Sequence, residues 1–184
     1  VGLGIVLGVL VLSGSIARAQ PAPSRAPLNP DFISYQRERA AGHVATVAGD
    51  GHALGYIPPP VDMSHIARSV RPMQAFPAAF DLRYQPLTRV TPVRDQKTCA
   101  ACWAFAALAS LESCLLPGEL WDFSENNLKN THGFDWSHCS GGNAFMATAY
   151  LARWGGPVSE SDDPYDPDSG NSPLALPVRK HVQE

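Results

Sequence analysis

The chain has 184 residues, 45% hydrophobic and 17% charged, with a formal charge of −3 from 14 basic and 17 acidic side chains. That length suits one ordinary domain with an appendage. A domain near 150 residues removes roughly 70% of its unfolded surface from water, which argues against wholesale disorder. No run of like charge creates the one-signed field that nucleic acid demands, so no nucleic-acid partner is expected.

Val1 to Leu12 is an apolar run far short of the roughly 20 residues that cross a bilayer, so no stable membrane anchor is expected. Ser13-Gly14-Ser15 and the small-x-small site Ala17-Arg18-Ala19 follow. Residues 1–19 therefore read as a secretory signal without its basic leader and initiator Met, the alternative being a buried helix. Export predicts a secreted or periplasmic protein in an oxidising compartment where cysteines pair. Residues 20–77 read as a Pro-rich leader or linker, with Pro21, Pro23, Pro27 and Pro30 at its start and Pro58-Pro59-Pro60 in its middle. Proline fixes φ and removes a backbone donor, which leaves one short helical stretch at Phe32 to Ala41. The leader is either removed in maturation or packed across the domain as an extended arm.

Regular patterning begins near Phe80, and residues 78–184 form the expected folded part. Leu87 to Val93 predicts a short edge strand or extended segment interrupted by Pro92. Cys99 to Leu116 surrounds a helix that stops at Pro117-Gly118; apolar residues on most of its faces predict a central, buried position. Ser124 caps a second short helix, with Glu125 at its positive end. A third runs from about Asn143 to Trp154 and stops at Gly155-Gly156-Pro157.

The chemistry concentrates between Gln96 and Phe105. Cys102 opens the central helix, where free backbone amides attract negative charge, and is placed to act as a nucleophile. Six residues earlier, the Gln96 side-chain amide is a candidate donor to the oxyanion formed when that sulfur attacks a carbonyl. A donor of this kind works only if it is held beforehand, and a disulfide from Cys99 would shape the intervening loop.

These residues resemble the papain-like cysteine peptidases, in which a Gln precedes a Cys-x-x-Cys-Trp-Ala-Phe run; the matching positions are Gln96, Cys99, Cys102, Trp103, Ala104 and Phe105. Phe80-Asp81-Leu82-Arg83 and Val90 to Gln96 look like the start of a mature domain, Phe123 to Leu128 like the family's second helix, and Cys139-Ser140-Gly141-Gly142 like its Cys-x-Gly-Gly. Leu151 to Pro157 and Gly55 to His65 are, in general likeness, closer to bacterial members. The resemblance implies an α+β papain-like fold of which only the largely helical, nucleophile-bearing domain is present. It implies Cys102 as nucleophile, Gln96 as oxyanion donor, Cys99 paired with Cys139, and Gly141 and Gly142 as the strip that hydrogen-bonds an extended substrate backbone. Lys97, Ala100 and Ala101 stand where the family usually has small Gly or Ser, and Thr131 where a second bridging cysteine is common. Cys114 reads as a small apolar residue inside the central helix. The family's helical inhibitory prosegment is not recognisable in residues 20–77.

Thiolate chemistry also needs a His to protonate the leaving amine and an Asn or Asp to orient it. In papain-like enzymes these lie roughly 130–150 residues beyond the cysteine, whereas 82 residues follow Cys102. His181 is too early and reads as solvated; His132 and His138 read as surface-loop residues. The expectation is a cysteine endopeptidase acting on polypeptides, represented by the half that carries the nucleophile and inactive alone, with no metal or other cofactor. A papain-like binding module without catalysis is the main alternative. A Cys99-x-x-Cys102 redox pair would need a preceding buried strand, and a zinc site from Cys99, Cys102, Cys139 and His132 or His138 lacks a well-spaced second ligand pair. Glu160, Asp162, Asp163, Asp166 and Asp168 read as an exposed acidic turn rather than a calcium site.

Overall fold

The computed structural model describes residue 25 and residues 27–62, 78–84 and 88–182. The signal-like run and Leu87 lie outside the described residues. Four helices follow in order: α1 (Pro30–Ala40), α2 (Cys102–Leu115), α3 (Glu125–Thr131) and α4 (Ala144–Ala152). Among the described residues, β pairing is confined to four isolated bridges. Residues 88–93 accordingly have no ladder partner. None of the helices is long and apolar enough to cross a membrane.

Helices α1, α3 and α4 begin where a side chain satisfies free amides. Asn29 Oδ1 accepts from Asp31 N–H at 3.0 Å, and Pro30 sits at the first helical position, so α1 starts two residues before the expected Phe32. Ser124 Oγ accepts from Asn127 N–H at 2.9 Å to start α3. Asn143 Oδ1 accepts from Phe145 and Met146 N–H to start α4. Helix α2 lacks a side-chain cap. It begins at Cys102 rather than Cys99 because residues 99–101 form turns, with Cys99 N–H donating to the Gln96 carbonyl and Ala101 N–H to that of Cys99.

The core is the meeting of α2, α3 and α4. Trp103, Ala104 and Leu108 of α2 pack with Phe123, with Leu128 of α3, and with Met146, Ala147 and Tyr150 of α4. Burial of each large apolar side chain contributes about 1.5–3 kcal/mol. Several polar groups inside are paired with one another. Asp163 accepts from the side-chain amides of Asn126 and Asn127, and the Tyr150 hydroxyl donates to Asn127 Oδ1 at 2.8 Å. Asp163 is therefore a buried structural acid rather than part of an exposed acidic turn.

The expectations for α2 and Cys114 need correction. Helix α2 is not enclosed on all sides: Trp103, Ala104, Leu108 and Glu112 are buried, while Ala106, Ala109, Ser110 and Cys114 are exposed. The reason is that α3 and α4 both pack against one side of it. Cys114 is thus a surface thiol and not an interior one. Within the stretch read as leader, the described residues 29–62 make backbone contacts with one another. The Asn29 backbone and side-chain amides donate to the carbonyls of Pro60 and Pro59, both at 3.0 Å, joining the proline run to the start of α1. Residues 46–54 turn back on themselves through Leu54 N–H to Thr46 O and Ala48 N–H to His52 O.

Beside the open face of α2 lies a cavity of about 350 Å³, lined by Val90 to Arg94, Phe105, Ala106, Ala109, Glu112, Ser113 and Glu125. Arg94 hydrogen-bonds Asp122 and lies 3.6 Å from Glu125 and 3.7 Å from Glu160. The Glu125 side chain is only 3% exposed. Burial pushes its carboxyl up to about 8, with Glu160 and Glu112 adding to the effect and its own backbone amide and Arg94 opposing it. A carboxyl that holds its proton more tightly folded than unfolded loses stabilising effect as pH rises from its unfolded value through its folded one. The Glu125→Gln chain should therefore gain stability relative to the wild type between pH 5 and pH 8, on the order of a few kcal/mol, in paired urea titrations. A constant difference across that range would show that Glu125 does not ionise late.

Candidate active site

Cys102 is the first residue of α2 and is half-buried with a free thiol. The loop before it is held from several directions. Asp95 Oδ1 accepts from Lys97 N–H at 2.7 Å, and the Gln96 carbonyl accepts from the Tyr165 hydroxyl at 2.8 Å. The Tyr165 ring also meets Phe105 of α2 edge-on, at 4.8 Å between centroids. Tyr165, 69 residues from Gln96, thus ties the loop to the turn-rich segment after α4. Sequence reading missed this contact because neither spacing nor a motif marks it.

Cys99 and Cys139 form a disulfide that closes a sequence separation of 40 residues. In the chain-entropy picture such a loop is worth about 4 kcal/mol. The bridge joins the loop in front of α2 to the turn in front of α4, and Cys102 stays unpaired beside it. Cys99 and Cys102 therefore do not form a redox pair with each other.

Beyond the bridge, Gly141 has φ +94°, a backbone conformation that favours glycine. At Gly142 an added Cβ would lie 2.5–2.7 Å from the Trp103 indole. The absence of a side chain is what lets this backbone lie against the second residue of α2. Both the N–H and the C=O of Gly142 are engaged. Its N–H donates to the Gly55 carbonyl at 2.8 Å, and its carbonyl accepts from Ile57 N–H at 2.9 Å, a parallel bridge centred on Tyr56. Tyr56 is 66% exposed and Ile57 only 3%, so the segment lies flat with alternate side chains out and in.

The same segment reaches Gln96, whose Nε2 donates to the Ala53 carbonyl at 2.7 Å, while Oε1 is buried without a hydrogen-bond partner. Residues 53–57 thus form a strap over Gln96 and Gly142, two of the positions expected to serve a substrate. Sequence reading allowed an extended arm but did not locate it, because a strap that bonds through its backbone leaves little trace in side-chain pattern.

The described histidines are engaged elsewhere. His132 is buried and edge-on to Trp103, its Nδ1 accepts from Phe134 N–H, and burial and nearby Arg153 lower its pKa. It is a core residue, not a surface one. Burial and Lys129 lower that of His138, which packs beside Gly170. His181 stacks on Trp154 at 4.4 Å between centroids. His43 contacts Glu38, and His52 lies between Asp50 and Asp95.

Residues 76–181 match the papain family cysteine protease profile. The chain belongs to that family. It is 40% identical over 97 residues to the viral cathepsin of Autographa californica nuclear polyhedrosis virus, covering 52% of this chain and 29% of the relative. It is 37% identical over 113 residues to cysteine protease 1 of Oryza sativa subsp. japonica, covering 60% and 23% respectively. The chain thus spans under a third of the length of these relatives. Among solved structures, the cysteine protease and lectin-like domains of Cwp84, a surface layer associated protein of Clostridium difficile, align with TM-score 0.64 at 24% identity, over 83% of this chain and 34% of that one. A structure from work on the mite allergens Blo t 1 and Der p 1 aligns with TM-score 0.54 at 25% identity, over 62% and 39%. The fold is papain-like, and α2, α3 and α4 are helices of its helical part.

Lys97 has φ +54° in a loop whose shape the site depends on. A non-glycine residue there costs roughly 1–2 kcal/mol, partly offset in glycine by its greater unfolded freedom. Lys97→Gly should raise stability by about 1 kcal/mol in thermal unfolding; a loss of stability would mean that the lysine side chain holds the loop.

Proposed function

We propose that the protein is a cysteine endopeptidase acting on polypeptides, with Cys102 as nucleophile, Gln96 as oxyanion donor and Gly141-Gly142 as the strip that receives substrate backbone. The observation that carries this reading is the assembly around the Cys99–Cys139 bridge. A free thiol at the first turn of α2, a side-chain amide on the preceding loop and a glycine backbone are gathered there. In the reaction the Cys102 sulfur forms a bond to the peptide carbonyl carbon. Gln96 Nε2–H and the Cys102 backbone N–H donate to the resulting oxyanion. The C–N bond then breaks as a histidine delivers a proton to the leaving amine, and water hydrolyses the thioester.

The histidine and its orienting Asn belong, in this reading, to polypeptide beyond residue 184. Support comes from the other engagements of the described histidines and from the greater length of the relatives. The form described is latent, because the strap takes the hydrogen-bonding groups of Gly142 and the Gln96 amide. The reading includes a signal at residues 1–19, a leader at 20–77 and a secreted or periplasmic location, which suits a stable disulfide.

The test is hydrolysis of a peptide substrate by the open reading frame extended past residue 184. Cys102→Ala should abolish turnover, and activity surviving that change would sink the assignment. Gln96→Ala should lower kcat on the order of 100-fold with less change in KM. Residues 20–184 alone should show no more than trace hydrolysis, and full activity there would place the base within this chain.

A further inference from the structure

Gln96 can serve an oxyanion only if its backbone is fixed before the substrate arrives. The peptide plane between Gln96 and Lys97 needs such fixing, because Lys97 continues from it at φ +54°, which a residue other than glycine adopts only at a cost. The N–H of that plane donates to Asp95 Oδ1 at 2.7 Å. Its C=O accepts from Cys99 N–H at 3.3 Å and from the Tyr165 hydroxyl at 2.8 Å. Asp95 and Cys99 lie in the same loop and move with it; Tyr165 reaches the plane from outside.

Tyr165 is itself held at each of its parts. Its N–H donates to Glu160 Oε1 at 2.8 Å, and that oxygen lies 3.7 Å from Arg94 Nη1, two residues before Gln96. Its ring meets Phe105 of α2 edge-on, and Lys129 Nζ lies 5.6 Å from the ring centroid. Lys129 is fully buried and donates to the Ser169 carbonyl at 2.6 Å. Residues 160–165 thus grip residues 94–96 at two points, while the phenol ring rests on the helix that carries Cys102. Burial, then Glu125, Asp95 and Asp166, push the Tyr165 hydroxyl above the ordinary tyrosine value, so it keeps its proton and acts as a donor.

We propose that Tyr165 is a positioning residue for the oxyanion donor: its hydroxyl fixes the Gln96 backbone against α2 and thereby sets the direction of the Gln96 side-chain amide relative to the Cys102 sulfur. The proposal deepens the peptidase reading and rests on it for the part that Gln96 plays. Tyr165 acts through Gln96 and meets no reacting atom. Its effect falls on turnover rather than on substrate binding, because the oxyanion exists only after the sulfur has attacked.

The test begins with Tyr165→Phe, which keeps the ring and removes the hydroxyl. In the open reading frame extended past residue 184, this change should lower kcat about three- to tenfold, the factor that one net hydrogen bond carries, with KM altered less than about twofold. In the Gln96→Ala background the same change should alter kcat by less than about twofold, because no side-chain amide remains to be directed. Equal losses in the two backgrounds would overturn the proposal. So would a Tyr165→Phe enzyme with the wild-type kcat, since packing of the ring would then be the whole role of the tyrosine. A second readout needs no hydrolysis. In the 184-residue chain with its disulfide intact, the Gln96 carbonyl ¹³C resonance should move upfield in Tyr165→Phe as it loses a donor, and an unmoved resonance overturns the proposal. Turnover that survives Cys102→Ala would instead sink the peptidase reading and leave that resonance shift in place.

Discussion

The Cys99–Cys139 bridge is the point on which the site depends, because it fastens two stretches that the helices alone would not bring into register. One is the loop that leads into α2 and carries Gln96; the other is the turn that leads into α4 and carries Gly141 and Gly142. With both fixed, Gly142 lies against the Trp103 indole, one residue after the candidate nucleophile. Backbone groups and a thiol are thereby presented on one surface without any of them being part of a helix ladder. The bridge acts on the unfolded chain as well, since it closes a long loop there.

What the site presents is an incomplete strand edge, a lone residue whose N–H and C=O both pair with one neighbouring segment. Such an edge pairs with any extended backbone that can reach it. In this chain the reaching segment lies within residues 20–77, and Pro58-Pro59-Pro60 follows it directly. The proline carbonyls at 59 and 60 are spent on Asn29, which places α1 at the far end of the strap. Docking of the strap and folding of α1 are accordingly parts of one arrangement.

Helix α2 has two unlike sides. One is packed by α3 and α4 into a closed apolar core, and the other presents small side chains beside a cavity bordered by Glu112, Glu125 and Arg94. Three carboxylates, those of Asp122, Glu125 and Glu160, share the Arg94 guanidinium there, and burial rather than pairing dominates the titration of Glu125. Burial of a carboxylate is costly unless its charge is fully met.

Local chemistry in the sequence determined the helices, most of their caps and the candidate nucleophile. Ser124, Asn143 and Asn29 mark helix starts because their side chains satisfy amides within three residues, and Cys102-Trp103-Ala104-Phe105 carries its meaning in consecutive positions. Family likeness extended this to Gly141 and Gly142. Only the tertiary structure decided which face of α2 is covered, that His132 and Asp163 are interior groups, and that Tyr165 braces the Gln96 loop from 69 residues away. It alone placed residues 53–57 over Gln96 and Gly142. The covered face of α2 depends on its packing against α3 and α4, and Asp163, Tyr165 and residues 53–57 depend on long-range contacts made through backbone atoms or a single polar side chain. Contacts of that kind impose no periodicity on the sequence, whereas capping and helical burial do.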